Sequence, residues 1–282
     1  MRRREALAVL AGSLFGLGAD FLPGGKGAAV LVDVRSRRLI WAANRNTAAR
    51  SLLPPGSTMK PFVLAALLRS GKIGAGDSFP CPTKLRIGRR VLDCSHPPIG
   101  SPMRVDTALA YSCNCFVAHF SEKLAAGELA REFEGAGLGA RTGWLGEDEV
   151  SGKIHTASGP DAVRLQALGE EDVLITVAEL ASAYRALALK ASAPEMGLVI
   201  AGLEGAVEYG TAQNARVAGV KLAGKTGTSI GIAGEPVAWF AGFLPSSAPE
   251  VAVAVMVPGR SGGADAAPVA GRILEAHRAG RL

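Results

Sequence analysis

Residues 28–34 form an almost unbroken apolar run of strand length. A polar turn at Arg35, Ser36 and Arg37 and a second short run over 38–43 follow, which predicts a β-hairpin. Pro54, Pro55 and Gly56 interrupt the pattern. After them Phe62, Val63, Ala66 and Leu67 recur at helical spacing, predicting a helix over about 57–70 that Gly71 ends. Residues 72–104 are proline-rich and carry only short strand-like pieces. Helical patterns return over about 105–111, 114–126 and 128–136, then over 176–190 and 198–209. Thr176 with Glu179 three positions on has the form of a capping box.

The last third reads differently. Three strands are predicted, over about 220–228, 236–244 and 250–257, with a closing helix over 265–278. In the third strand Val251, Val253, Val255 and Val257 would share one face, and Ala252, Ala254 and Met256 the other. Apolar residues on both faces imply a strand covered on both sides. Strands at both ends of the chain and helices between predict an α/β protein of the α+β type: one sheet flanked by helices, with a helical lobe inserted. The sheet lobe would comprise about 27–56 and 216–282, and the helical lobe about 57–215.

Composition narrows the class. The 282 residues are 48% hydrophobic and 20% charged, enough apolar material for a sizeable core. Net charge is +6, and Arg2, Arg3 and Arg4 supply half of it. No basic stripe with interleaved aromatics is present, so a nucleic-acid partner is not expected. The three arginines precede an uncharged apolar stretch over 6–19, which predicts an export signal or anchor over residues 1–20 and a domain over 21–282. The protein is therefore expected in the periplasm or on the outer face of the cytoplasmic membrane.

Three short elements carry candidate chemistry. In Ser57-Thr58-Met59-Lys60, a Ser and a Lys three apart share one face of a new helix, so the amine can reach the hydroxyl. A lysine buried there loses pKa and can serve as a general base. Ser112-Cys113-Asn114 falls between two helices, and Lys225-Thr226-Gly227-Thr228 at the end of a strand, where Gly227 would let a ligand backbone approach. Each element alone is common; in this order they are specific. The set resembles the serine acyltransferases that recognise penicillin. Residues 55–62 look like the nucleophile segment of penicillin-binding transpeptidase domains, 108–116 like their second segment, and 210–212, 223–228 and 238–243 like their third region.

That resemblance, over about 27–280, implies a transpeptidase/β-lactamase-like fold with a mainly antiparallel sheet. It implies Ser57 as nucleophile toward D-Ala-D-Ala stem peptides of peptidoglycan, Lys60 as its base and Ser112 as proton relay. Asn114 would bind the substrate amide and hold Lys60. Lys225 and Thr226 would anchor the terminal carboxylate, with Lys225 also depressing the pKa of Lys60. Ser57 and Thr228 N–H groups would form an oxyanion hole. β-Lactams would acylate Ser57, with no metal or cofactor. The activity implied is a D,D-transpeptidase or D,D-carboxypeptidase. A β-lactamase and a non-catalytic β-lactam or wall-fragment sensor are the alternatives. Against the β-lactamase, the chain has no Glu-x-x-Leu-Asn element, and Asn114 stands where carbamylated-lysine enzymes carry Val. Nothing resembles the pedestal or glycosyltransferase domain of many family members, which leaves another cell-wall protein as a candidate partner. One departure is local: Gly169-Glu170-Glu171-Asp172 stands where the family often has a Gly-Gln-Gly turn.

Cys81 and Cys94 flank a stretch that reads as a hairpin with Gly88 near its tip, and an exported protein could hold them as a disulfide. Cys113 and Cys115 read as small packing residues, and His96 and His119 as structural. No Cys/His group has metal-ligand spacing along the chain, so no metal site is expected.

Overall fold

The computed structural model describes residues 21–282; the arginine-led segment 1–20 lies outside them. In chain order the elements are β1 (Ala28–Asp33), β2 (Leu39–Ala43), α1 (Arg45–Arg50), α2 (Lys60–Arg69), β3 (Ser78–Phe79), β4 (Arg86–Ile87), β5 (Arg90–Val91), β6 (Met103–Arg104), α3 (Val105–Ala110), α4 (Asn114–Ser121), α5 (Glu128–Gly135), β7 (Lys153–Ile154), α6 (Pro160–Ala167), β8 (Val173–Leu174), α7 (Val177–Leu189), α8 (Gly197–Glu208), β9 (Ala223–Ile230), β10 (Pro236–Leu244), β11 (Val251–Pro258) and α9 (Ala267–Arg278).

Both ends of the chain meet in one five-stranded antiparallel sheet, ordered β2-β1-β11-β10-β9. The β1–β2 hairpin closes where the Asp33 carboxylate accepts the Ser36 N–H at 2.7 Å. The alternation in β11 works as its pattern predicts. Val251, Val253, Val255 and Val257 pack with α9 through Val269, Ile273 and Leu274. Ala252, Ala254 and Met256 face the helices of the intervening region, among them Leu180 and Tyr184 of α7. The central strands of the sheet thus lie between two apolar layers, while the edge strand β9 carries polar residues.

Two helices escape sequence reading. The segments Arg45–Arg50 and Pro160–Ala167 span about two turns or less and show no sustained apolar stripe. The region between the sheet halves also holds three two-stranded ladders, β3–β6, β4–β5 and β7–β8. β9 runs to Ile230, beyond its predicted end, because Ser229 and Ile230 pair with Val237 and Pro236 of β10. Among the described residues no helix is long and apolar enough to cross a membrane.

The N-terminus of α7 is a polar hub in this apolar setting. The Thr176 hydroxyl accepts the Glu179 N–H at 3.1 Å, and the Glu179 carboxylate accepts the Thr176 N–H at 2.8 Å. The same carboxylate accepts N–H bonds from Gly152 at 2.7 Å and Gly139 at 3.0 Å. It is buried, and desolvation raises its pKa against those three N–H contacts and a fourth from the Thr176 hydroxyl at 3.0 Å. Glu179→Ala strands several buried N–H groups and is expected to lower unfolding free energy by about 3 kcal/mol or more, read by urea denaturation. A loss below about 1 kcal/mol, the size of an ordinary cap, would contradict the hub.

Candidate active site

The nucleophile segment is a 3₁₀ turn, Gly56–Met59, that runs into α2. The Lys60 N–H donates to the Ser57 carbonyl, the three-residue step of a 3₁₀ turn. In that geometry side chains three apart eclipse, so Ser57 and Lys60 share a face more directly than on an α-helix. The turn is held from several sides. Thr58 donates its hydroxyl to the Pro55 carbonyl at 2.9 Å, and the buried Tyr184 hydroxyl of α7 donates to the Thr58 carbonyl at 2.9 Å. Ser229 of β9 donates to the Pro54 carbonyl at 2.7 Å.

Backbone approaches here are too close for side chains. Gly56 has φ +55°, and a Cβ there would lie 2.5 Å from the Thr228 carbonyl oxygen and 3.3 Å from the Thr228 nitrogen. A Cβ on Gly227 would lie 2.7 Å from the Pro55 carbonyl oxygen. The glycine of the third element therefore admits the Pro55 turn on one side while it lines the cleft on the other.

Lys60 is fully buried, and its amine meets only neutral oxygens. Nζ lies 2.7 Å from the Ser112 carbonyl, 3.2 Å from the Ser112 hydroxyl and 2.5 Å from Asn114 Oδ1. Burial lowers its pKa to about 8, with Glu170 among the nearby groups acting the other way. Burial and the like charge of Lys225 were both expected to lower it; burial is the principal cause.

Ser112 reaches this position through an unusual helix end. Its N–H donates to Leu109 at 3.2 Å, and the Cys113 N–H to Ala108 at 2.8 Å. This is a Schellman motif terminating α3, with Ser112 in the left-handed position, φ 58°, that glycine usually takes. A non-glycine residue there costs on the order of 1–3 kcal/mol, held by the surrounding contacts. Cys113 then caps α4, its sulfur accepting the Phe116 N–H at 3.4 Å. Asn114 is anchored by its amide, which donates to the Leu92 carbonyl at 3.0 Å.

The third element lies on β9, at the sheet edge. Thr226, Gly227 and Thr228 line a cleft of about 340 Å³ together with Ser57, Ser112 and Asn114. Lys225 is fully buried beside it, donating to the Thr226 carbonyl at 3.0 Å. Burial first, then the like charge of Lys60, holds its pKa well below that of a free lysine. Thr211, which follows α8, shares a hydrogen bond with the Thr226 hydroxyl at 2.7 Å.

Sequence reasoning named the three short elements but not all of the wall. Glu170 also lines the cleft, beside Leu168. Arg90 of the β4–β5 hairpin binds it at 2.6 Å and binds Glu171 at 3.0 Å. Desolvation raises the Glu170 pKa while Arg90 pulls it down. Gly169 has φ +73°, and a Cβ there would lie 2.1 Å from the Gly56 carbonyl oxygen, so this loop is wedged against the nucleophile turn. The departure from the family turn was the available signal.

The cysteines differ from expectation. All four are free thiols, and Cys81 and Cys94 face each other with sulfurs 3.6 Å apart, not joined as a disulfide. Cys94 also touches Cys113 and Cys115, so each sulfur has more than one neighbour. Cys81, Cys94, His96 and Cys113 gather into one group, which chain spacing did not foreshadow.

A two-sided sheet, a helical region between its halves and a Ser/Lys cleft at the edge strand define a protein of the transpeptidase/β-lactamase-like fold. The chain belongs to the penicillin binding protein transpeptidase domain family, whose family model matches residues 27–275. It is 25% identical over 272 residues to the peptidoglycan D,D-transpeptidase PbpA of Mycolicibacterium smegmatis, covering 79% of this chain and 55% of that protein. It is 25% identical over 278 residues to PbpA of Mycobacterium tuberculosis, covering 82% and 56%. The chain thus spans about half the length of these curated relatives. Among solved structures, Pseudomonas aeruginosa PBP2 superposes with a TM-score of 0.77 at 21% identity, covering 89% of this chain and 73% of that one.

Asn114→Asp tests the Lys60 environment. It sets a carboxylate where a neutral oxygen now touches Nζ. If Lys60 is the titrating group, the pH midpoint of acylation by a β-lactam is expected to rise by about 1–3 units over the wild type, with slower acylation at neutral pH. An unmoved midpoint in a stopped-flow pH series contradicts Lys60 as the titrating base.

Proposed function

We infer that this chain is an exported serine acyltransferase of peptidoglycan stem peptides, a D,D-transpeptidase or D,D-carboxypeptidase. The carrying observation is the convergence of Ser57, Ser112 and Asn114 on one cleft, with the Lys60 amine buried behind it among the neutral oxygens of Ser112 and Asn114. The names of the PbpA relatives support the same reading.

The chemistry follows from the placement. Neutral Lys60 has two N–H groups for three oxygen acceptors and a lone pair free for the Ser57 proton. Ser57 Oγ attacks the carbonyl carbon between the two D-alanines, and its proton passes to Lys60 Nζ. The oxyanion forms against the Ser57 and Thr228 N–H groups, each such donor worth about 2.7–4 kcal/mol in the transition state. Ser112 Oγ, 3.2 Å from Nζ, relays the proton to the departing amine. D-Alanine leaves and a Ser57 ester remains. An amine from a neighbouring stem peptide, or water, then releases it. The substrate's terminal carboxylate is anchored by Thr226, which lines the cleft, and by Lys225 buried beside it. A β-lactam enters the same sequence and stays as an ester.

Intact-mass spectrometry after incubation with benzylpenicillin tests this. The expected result is one stable adduct, mapped to Ser57 and absent in Ser57→Ala, together with D-alanine release from a D-Ala-D-Ala peptide. An adduct that survives Ser57→Ala overturns the nucleophile. A transient adduct with accumulating penicilloate makes the chain a β-lactamase instead.

A further inference from the structure

Three thiols and one imidazole converge beside the cleft and take no part in acyl transfer. Cys81 and Cys94 bracket the β4–β5 hairpin, His96 follows, and the buried Cys113 caps α4. Cys81 Sγ lies 3.6 Å from Cys94 Sγ and 3.5 Å from His96 Nε2; Cys94 Sγ lies 3.7 Å from Cys113 Sγ. All four atoms fall within 4.8 Å of one another. Zn²⁺ holds thiolates at about 2.3 Å and imidazole at about 2.0–2.1 Å in a tetrahedron, which sets ligand-to-ligand edges of about 3.5–3.8 Å. Three of the six edges have those lengths, and the others stay within 4.8 Å. A disulfide needs sulfurs about 2.05 Å apart and would leave two ligands of the group unused.

The surroundings are those of ligands in place. The Thr83 N–H donates to Cys81 Sγ at 3.3 Å and the Phe116 N–H to Cys113 Sγ at 3.4 Å. Such donors stabilise a thiolate. His96 Nδ1 lies 2.8 Å from the Pro97 carbonyl oxygen, which can only accept. Nδ1 therefore carries the proton, and Nε2 presents its lone pair to the sulfurs. Cys115 touches Cys94 at 3.6 Å and the Lys84 carbonyl at 3.7 Å, outside the group of four.

We propose that Cys81, Cys94, His96 and Cys113 bind one Zn²⁺ as a structural Cys₃His site. Three thiol protons pass to solvent on binding, His96 coordinates as the neutral imidazole, and nothing is oxidised or reduced. The ion ties the hairpin wall to the second catalytic element. Cys113 stands between Ser112 and Asn114, and Ser95, between Cys94 and His96, lines the cleft. The same ion thus fixes both sides of the opening.

The test is metal content of the full chain, purified with zinc present and desalted, followed by exchange with Co²⁺. About one zinc per chain is expected in the wild type, in Ser57→Ala and in Cys115→Ala. Cobalt should give thiolate charge-transfer and tetrahedral d–d absorption. His96→Ala and Cys81→Ser are expected to lose most of the metal. Trace metal only in folded wild type overturns the site, as does a Cys81–Cys94 disulfide in its intact mass or full zinc in the Cys81→Ser/His96→Ala double variant. The cobalt spectrum of the wild type stands even if a variant fails to fold. Neither readout uses a β-lactam, so this proposal and the acyl-transfer reading fail separately.

Discussion

Everything at this cleft depends on one lysine placed out of water without a bonded carboxylate. Burying an ammonium is costly unless its protons are matched or its charge is given up. Lys60 faces three oxygens, all of them neutral, from Ser112 and Asn114. They satisfy the N–H groups without holding the charge as a carboxylate would. The amine is left near the point where it can take and return a proton at neutral pH. The strained Ser112 backbone follows from this requirement, because its left-handed turn directs both its carbonyl and its hydroxyl onto one nitrogen.

The second constraint is backbone proximity. The nucleophile turn is wedged between β9 and the loop at Gly169, and glycine stands at the contact points. A Cβ on Gly56 meets Thr228, one on Gly227 meets Pro55, and one on Gly169 meets Gly56. Gly262 extends the stack, since a Cβ there would lie 2.4 Å from the Gly227 carbonyl. Ser57 is thereby positioned by main chain against main chain, with less freedom than side-chain packing allows. The sheet supports this because its central strands are buried on both faces, between two cores, and β9 is paired along its length to β10.

Much of this was legible in the residues. The β11 alternation, the α7 capping box and the order of the three elements each pointed to the observed arrangement, because period and local chemistry leave direct marks on a sequence. The short helices Arg45–Arg50 and Pro160–Ala167 leave little periodicity to detect. The Cys/His group was illegible for a different reason. Its members come from a hairpin and a helix cap that only the fold brings together, so chain spacing carries no ligand pattern. Gly227 announced a close approach, but that the Pro55 turn is one of the things it admits needed the fold to be seen. Glu170 was visible as a departure from a family turn, but its place on the cleft wall needed the Arg90 contact to be seen.

The central claim is that burial among neutral oxygens prepares Lys60 as a base. Its ionisation can be followed directly by carbon-13 NMR of the methylene beside the amine in lysine-labelled protein, with Lys60→Arg assigning the signal. A midpoint at about 8 is the result this account predicts. Titration at or above about 10.4, the value of a free lysine, would contradict it.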